Sequence, residues 1–392
     1  MKNPEQFRGM KNLDQILSQI ETMKTFNVDH RAARGRYDEV MDMLHPAFID
    51  ATAESIEQVS PTSTKIRFRA DRILPPFGAG QYINVHSTAE GITASRAYTL
   101  SSHPQDREGC EITVKKTRDG YFSDLLQNAQ VGDHFRLSAP AGNFYRLPFV
   151  HGTRLVFAAG GSGITPFISM LKNDRALNDH QYQVDLLYGC SDPDDILYQE
   201  ELDQLEKEGF VRVHYIISQD DFVEHDNYHR GFITRELIEK LIDHPEEATW
   251  FICGPSVLYT FLEKNLKELG LTRRQIRTEV EVPSKHPSDY PGWPAHLNED
   301  TEFQITLEDG TTVPARAGET VLTALEKAGI PIQSQCHGGE CSLCRTRLLD
   351  GKVLHSPHAL LRKSDVEHSY IHPCSAFALS NLTLALPGKS RN

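Results

Sequence analysis

Seven cysteines are spread through 392 residues, and four of them stand where they could do chemistry. Cys336, Cys341 and Cys344 follow one another as Cys-x4-Cys-x2-Cys, and Cys374 arrives from further down the chain. Three thiols from one tight loop and a fourth from a distant segment is the spacing of [2Fe–2S] ligation, because two bridged irons need four thiolates converging from several sides. Gly338 and Gly339 suit a loop that must wrap closely, since residues without a Cβ accept positive φ and let backbone N–H groups approach sulfur. Structural zinc would favour two Cys-x2-4-Cys knuckles, and only one such pair exists. An odd cysteine count in so long a chain does not describe a disulfide framework. His337, His355, His358, His368 and His372 surround the motif, but four well-spaced thiols leave no vacancy for Rieske-type imidazoles.

A second constellation begins at Arg154. The apolar run Leu155-Val156-Phe157-Ala158-Ala159 leads into Gly160-Gly161-Ser162-Gly163-Ile164-Thr165-Pro166 and then a helical pattern from Phe167 to about Lys172. Strand, glycine turn and helix form a mononucleotide-binding arrangement, with Thr165 expected to cap and Pro166 to occupy the first helical position. Further strands at 184–188, 211–217 and 249–252 alternate with helices, which implies a parallel sheet covered on both faces. The last of these strands ends in Cys253-Gly254-Pro255, at the carboxyl end where ligands bind in such sheets. Cys253 could equally be a small buried apolar thiol.

A third, weaker constellation is Arg96-Ala97-Tyr98-Thr99-Leu100-Ser101, which reads as a strand with Arg96 and Tyr98 on one face. Downstream, Asp119-Gly120-Tyr121-Phe122-Ser123 forms a glycine turn and a serine cap, and the free N–H groups of the helix start could bind a pyrophosphate.

The elements that position these residues change period along the chain. Residues 1–46 carry no nameable chemistry; Leu13, Ile16, Leu17 and Ile20 fall on one face of a short helix, and a second runs from about Tyr37 to Leu44. From 47 to 149 the period is two, with short strands and turns that suggest a small closed barrel. The segment 150–280 alternates strand and helix. Pro283, Pro287, Pro291 and Pro294 mark a linker over 281–300. From 301 a hairpin around Gly310, a helix from Thr320 to Ala328 and the cysteine loop follow a β-grasp plan.

Composition excludes other roles. A net charge of -13 argues against a nucleic-acid partner, whose phosphates would be repelled. No run of 18 apolar residues and no apolar leader stands at the start, so we expect no integral membrane segment and a cytoplasmic location. Free thiols fit that reducing compartment.

Taken together, the three constellations resemble the ferredoxin-NADP reductase superfamily, in the group with a plant-type ferredoxin fused at the C-terminus, as in the reductase components of oxygenase systems. The resemblance covers about residues 50 to 388. It implies a multidomain fold: an antiparallel Greek-key β-barrel flavin domain (47–149), an α/β parallel-sheet nucleotide domain (150–280) and a β-grasp ferredoxin domain (301–392). It implies FAD, with FMN as the alternative, a [2Fe–2S] cluster held by Cys336, Cys341, Cys344 and Cys374, and a nicotinamide nucleotide as donor. Arg96 would hold a flavin phosphate, Tyr98 would lie against the isoalloxazine, and Thr99 would hydrogen-bond near N5, where relatives more often have Ser. Gly120 and Ser123 match the pyrophosphate turn. Gly161, Gly163, Thr165 and Pro166 match the nucleotide loop, and Cys253, Gly254 and Pro255 the strand end beside the nicotinamide, which makes Thr99 and Cys253 the candidate catalytic pair.

Two departures bear on the donor. Where relatives often carry Arg, the chain has Cys190-Ser191-Asp192 followed by Asp194 and Asp195, and later Gln219-Asp220-Asp221. A 2′-phosphate would meet carboxylates and no guanidinium fork, so NADH is expected over NADPH. The final acceptor is missing from the chain, which implies a separate acceptor protein: an oxygenase, hydroxylase or demethylase component, with an anaerobic hybrid-cluster or corrinoid protein, or a sensing role without turnover, as the alternatives.

Overall fold

The computed structural model describes residues 18, 39–42, 46–89, 92–116, 121–219, 221–280 and 282–386. Gly120 and all but Ser18 of the first expected helix lie outside these residues, while residues 39–42, within the second, are helical. The chain divides at Ala47/Phe48, and the description below concerns the described residues of Phe48–Asn392.

The period-two region folds as six strands: β1 (Ile49–Ser60), β2 (Ser63–Ala70), β3 (Tyr82–Ala89), β4 (Ile92–Thr99), β5 (Gly109–Lys115) and β6 (His134–Leu137). They form one antiparallel sheet in the order β4-β3-β6-β1-β2-β5. A bridge from Leu100 to Ile112 brings its two end strands together and closes the barrel. Inward-facing Ile66, Phe68, Ile83, Val85, Ile112 and Val114 fill it, as alternation requires.

The alternating region forms β7 (Arg154–Gly160), β8 (Gln183–Cys190), β9 (Arg212–Ile217), β10 (Tyr228–Arg230), β11 (Thr249–Cys253) and β12 (Ile276–Thr278), all parallel, in the order β10-β9-β8-β7-β11-β12. The chain winds outward from β7 to β10, then returns to the other side of β7 for β11. The switch point, where crossovers leave a crevice at the carboxyl ends, therefore lies between β7 and β11. Phe157 stacks on Phe167 with ring centres 4.6 Å apart, which ties β7 to the following helix.

The C-terminal segment contributes β13 (Glu302–Leu307), β14 (Thr312–Arg316), β15 (Thr346–Asp350), β16 (Val353–His355), β17 (Tyr370–Ile371), β18 (Ala376–Ala378) and β19 (Leu382–Ala385). Its main sheet runs β14-β13-β19-β15-β17, with the helix Val321–Lys327 packed on it through Val321, Ala324 and Leu325. The proline-rich stretch between the domains meets the smaller β16-β18 ladder, where Tyr290 packs edge-on against Phe377, and is braced internally by Ser288 donating to Glu299. No helix among the described residues is long and apolar enough to cross a membrane.

Candidate functional site

The cysteine loop leaves the helix Val321–Lys327 and returns into β15, so that Cys336, Cys341 and Cys344 are carried at one end of the sheet, with Cys374 supplied by a turn after β17. Cys336, Cys344 and Cys374 are buried and Cys341 is exposed. Cys344 Sγ and Cys374 Sγ lie 3.4 Å apart, far beyond the roughly 2 Å of a disulfide. The amides of Glu340 and Cys341 point at Cys336 Sγ at 3.3 and 3.4 Å. The thiols of Cys341 and Cys374, with the amides of Cys341 and Gly338, hold the Cys336 thiol far below its ordinary range. Four converging sulfurs with amides aimed at one of them fit an iron–sulfur cluster, whose thiolates need hydrogen-bond donors. His337 is the first residue after the leading cysteine and takes φ 51°, while Gly339 takes φ 80° with Ser375 and Ala359 so near that a Cβ would collide. The histidines stay out of the cradle: His372 pairs through Nδ1 with Gly339 O at 2.8 Å, and His355 accepts from the His372 amide.

The glycine turn after β7 forms a single 3-10 turn, Gly161–Ile164, before the helix Thr165–Leu177. This differs from expectation in one respect: Ile164 is the cap, Thr165 and Pro166 are the first two helical residues, and Thr165 Oγ1 donates back to Ser162 O at 3.1 Å. The glycines also serve packing. A Cβ on Gly163 would sit 2.2 Å from Cys253 O, and one on Gly160 would sit 2.8 Å from Pro255, so the turn after β7 lies directly against the end of β11. Gly161 takes φ 52° and has Lys115 Nζ beside it, 3.6 Å from where its Cβ would be. Lys115, on the barrel strand β5, thus adds a cation to the nucleotide loop. Asp195 anchors that cation at 3.0 Å and accepts from Ser60 and Thr62. Asp195 therefore faces the barrel; of the carboxylates after β8, Asp192 and Asp194 remain exposed.

Arg96, Tyr98 and Thr99 lie on β4. Arg96 donates from Nη1 to Ser95 O and to Glu326, which leaves Nε and Nη2 of its fork for an anion. Tyr98 stacks beside Phe122 with ring centres 6.5 Å apart, and burial pushes its hydroxyl pKa up. Ser123 is buried within the first turn of the helix Tyr121–Gln127, inside the helix and not at its cap as expected. Thr99, at the end of β4, meets a residue that sequence reasoning missed. Its Oγ1 donates to Glu279 Oε1 at 2.6 Å, and Cys253 Sγ donates to Glu279 Oε2 at 2.7 Å. Glu279 follows β12 directly and its amide bonds to Ile252 O, so one carboxylate ties the flavin-domain strand to the switch point of the parallel sheet. Burial pushes its pKa above the ordinary carboxylate range, opposed by the bonds from Cys253 and Thr99. Burial also raises the Cys253 thiol, with the Glu279 charge adding to it, so Cys253 stays protonated and donates. Tyr82 lies opposite Thr99 on β3; burial raises its hydroxyl, and Cys336, Cys341, Glu340 and Glu279 raise it further. The cysteine loop and the Thr99–Glu279–Cys253 group are therefore neighbours of one tyrosine.

Three family models match the chain in the order of its sheets: an oxidoreductase FAD-binding domain over residues 50–145, an oxidoreductase NAD-binding domain over 157–264 and a 2Fe-2S iron-sulfur cluster binding domain over 305–379. Similar curated proteins include the NADH oxidoreductase HCR of Escherichia coli (strain K12), 29% identical over 79% of this chain and 89% of that protein. The glycine betaine monooxygenase reductase subunit of Pseudomonas aeruginosa (strain UCBPP-PA14) is 27% identical over 78% of this chain and 87% of its own. Among solved structures, phthalate dioxygenase reductase, described as a modular structure for electron transfer from pyridine nucleotides to [2Fe-2S], superposes with a TM-score of 0.65. It has 24% identity and covers 87% of this chain and 98% of its own. With one module for each cofactor arranged around the same carboxylate and cysteine loop, the chain belongs to the ferredoxin-NADP reductase superfamily of NAD(P)H-dependent flavin and iron–sulfur oxidoreductases, in the group that carries a C-terminal [2Fe–2S] ferredoxin domain.

Proposed function

We propose that this protein is the NADH-dependent reductase of a two-protein oxygenase, hydroxylase or demethylase system, passing electrons from NADH through FAD and a [2Fe–2S] cluster to a separate acceptor. The observation that carries the reading is the bridge from Thr99 through Glu279 to Cys253, because it joins the flavin strand to the crevice where a nicotinamide would lie. When bound, the flavin takes up a hydride from the nicotinamide as an electron pair and releases electrons singly, and plant-type clusters, near about -400 mV, receive them.

The chain's own residues bind and orient. Gly161, Gly163, Thr165 and Pro166 with Lys115 receive the dinucleotide phosphates, and Gly254 and Pro255 line the nicotinamide side. Arg96 with Gly120 and Ser123 receives the flavin phosphates, and Tyr98 covers the ring. Thr99 presents its hydroxyl at the flavin's reacting edge, held there by Glu279, while Cys253 closes the opposite wall. Cys336, Cys341, Cys344 and Cys374 hold the cluster, whose exposed side is at Cys341.

NADH is favoured because the turns after β8 and β9 hold Asp192, Asp194, Gln219 and Asp221 and no Arg or Lys between 190 and 195 or 218 and 222. The similarity to the glycine betaine monooxygenase reductase subunit supports an oxygenase-type acceptor. All seven cysteines are free, which supports a cytoplasmic setting.

The test is anaerobic reconstitution followed by NADH. The expected result is bound flavin and iron, flavin bleaching on NADH, transfer to cytochrome c, and a kcat/KM for NADH well above that for NADPH. Protein that stays iron-free and inert toward NADH refutes the reading, and an NADPH preference refutes the donor assignment alone.

A further inference from the structure

Strand β4 lies at the end of its sheet, and the ferredoxin domain touches it at two adjacent residues. Glu326, on the helix Val321–Lys327, is only 8% exposed. Its carboxylate accepts from Arg96 Nη1 at 2.9 Å and from the Ser95 amide. His337, beside the leading cysteine, is also buried and sets Nε2 3.4 Å from the buried Ser95 hydroxyl. The helix thus holds Ser95 and Arg96, and the cysteine loop meets Ser95, on the strand that carries the proposed flavin-binding side chains.

A carboxylate at this depth is costly. Burial pushes Glu326 up and Arg96 pulls it back down, and a well-packed apolar residue would hold two surfaces together at least as well. What the charge adds is direction. It fixes one nitrogen of Arg96 on the ferredoxin side, so the guanidinium registers the domain that carries the cysteines against the strand that carries the proposed flavin-binding side chains.

We propose that Glu326 is a positioning residue which, through Arg96, sets the rate of electron transfer from flavin to cluster without acting on hydride transfer from NADH. The inference rests on the proposed assignment of Arg96 to the flavin and of the four cysteines to the cluster. NADH is the reductant: its hydride brings two electrons to the flavin. Each onward transfer moves one electron, oxidising the flavin by one and reducing one ferric ion to ferrous, with the flavin's protons passing to solvent.

The test uses the full holoprotein as parent, E326Q and E326D, mixed with NADH in an anaerobic stopped-flow instrument. Flavin bleaching should stay within about twofold of the parent in both variants, while cluster reduction slows at least about tenfold in E326Q and recovers in part in E326D. Amide hydrogen exchange without NADH gives a second readout: Ser95 and residues 336–344 should exchange faster in E326Q at unchanged flavin and iron content. Cluster reduction within about twofold of the parent, equal slowing of both phases, or loss of flavin from E326Q overturns the positioning role. A parent that holds no iron or is not bleached by NADH overturns the functional reading instead.

Discussion

Replacing Glu279 by alanine removes one carboxylate and leaves two groups without their acceptor. Thr99 Oγ1 and Cys253 Sγ bond to its two oxygens at 2.6 and 2.7 Å. A hydrogen bond to a charged partner contributes about 1.5–3 kcal/mol, and a neutral one about 0.5–1.5. Burial raises Glu279, so the lower end of the charged range is the fair value for each bond. Two such bonds give about 3 kcal/mol of ordering where the proposed flavin and nicotinamide sites adjoin. If this ordering is needed only in the aligned complex, hydride transfer slows about a hundredfold, at 1.36 kcal/mol per decade. Stopped-flow flavin reduction at saturating NADH measures the step directly. E279Q should fall between parent and E279A, because the amide keeps an acceptor oxygen at only one of the two positions and puts an NH2 donor at the other. The pH profile adds a sign. Burial lifts the Glu279 pKa above 4.5, so the acidic limb of flavin reduction should lie above that value in the parent and vanish in E279A. Reduction of E279A within about threefold of the parent would show that the bridge is structural and that the nicotinamide is aligned by other residues.

Three further outcomes follow from the same geometry. C374S should lose the cluster's visible absorption and bound iron, since one of four converging thiols is gone, yet keep NADH-driven flavin bleaching; retention of iron at the parent's level would contradict the ligand set. G163A should lower Tm and abolish NADH binding together, because its methyl group would lie 2.2 Å from Cys253 O; calorimetry and an NADH titration check this, and a normal Kd would show that the turn can move. His214 is held neutral, with a pKa pushed down to about 4 by burial and then by Arg212 and His229. A group with a depressed imidazole pKa contributes full stability above its unfolded value of about 6.5 and loses it as pH falls toward the folded value. Tm should therefore fall from pH 6.5 to 4, and less steeply in H214N; equal slopes would remove His214 from the acid response.

The elements that carry local periodicity were legible. The alternation of Ile66, Phe68 and the strands around them predicted the barrel, and the apolar run at 155–159 followed by glycines predicted a nucleotide turn. Where the prediction slipped, local physics explains it. Thr165 has the chemistry of a cap, but the 3-10 turn Gly161–Ile164 uses its hydroxyl on Ser162 O and moves the helix start one residue earlier. Ser123 was read as a cap because a glycine precedes it by three, whereas the helix already begins at Tyr121. Asp195 was grouped with the nucleotide-facing carboxylates by its place in an acidic run; its side chain instead serves Lys115, Ser60 and Thr62 on the barrel.

The residues that sequence reasoning missed share one physical property. Glu279 meets Thr99 across 180 positions, Glu326 meets Arg96 across 230, His337 meets Ser95 across 242, and Lys115 meets Asp195 across 80. Apart from His337, which stands within the cysteine motif, each is a single polar residue outside the three constellations, and each looks in sequence like a solvated charge. A charge becomes informative only when another domain covers it, since water is then replaced by one partner of fixed direction. In an electron-transfer chain built from separate modules, every step crosses such a boundary, so the residues that align the steps are the ones a one-dimensional pattern is least able to show. Cofactor-binding motifs must fit a molecule that is the same in every relative and so keep local signatures. The joints between modules need only fit each other, and Glu279 and Glu326 are two solutions to that second requirement, one on each side of β4.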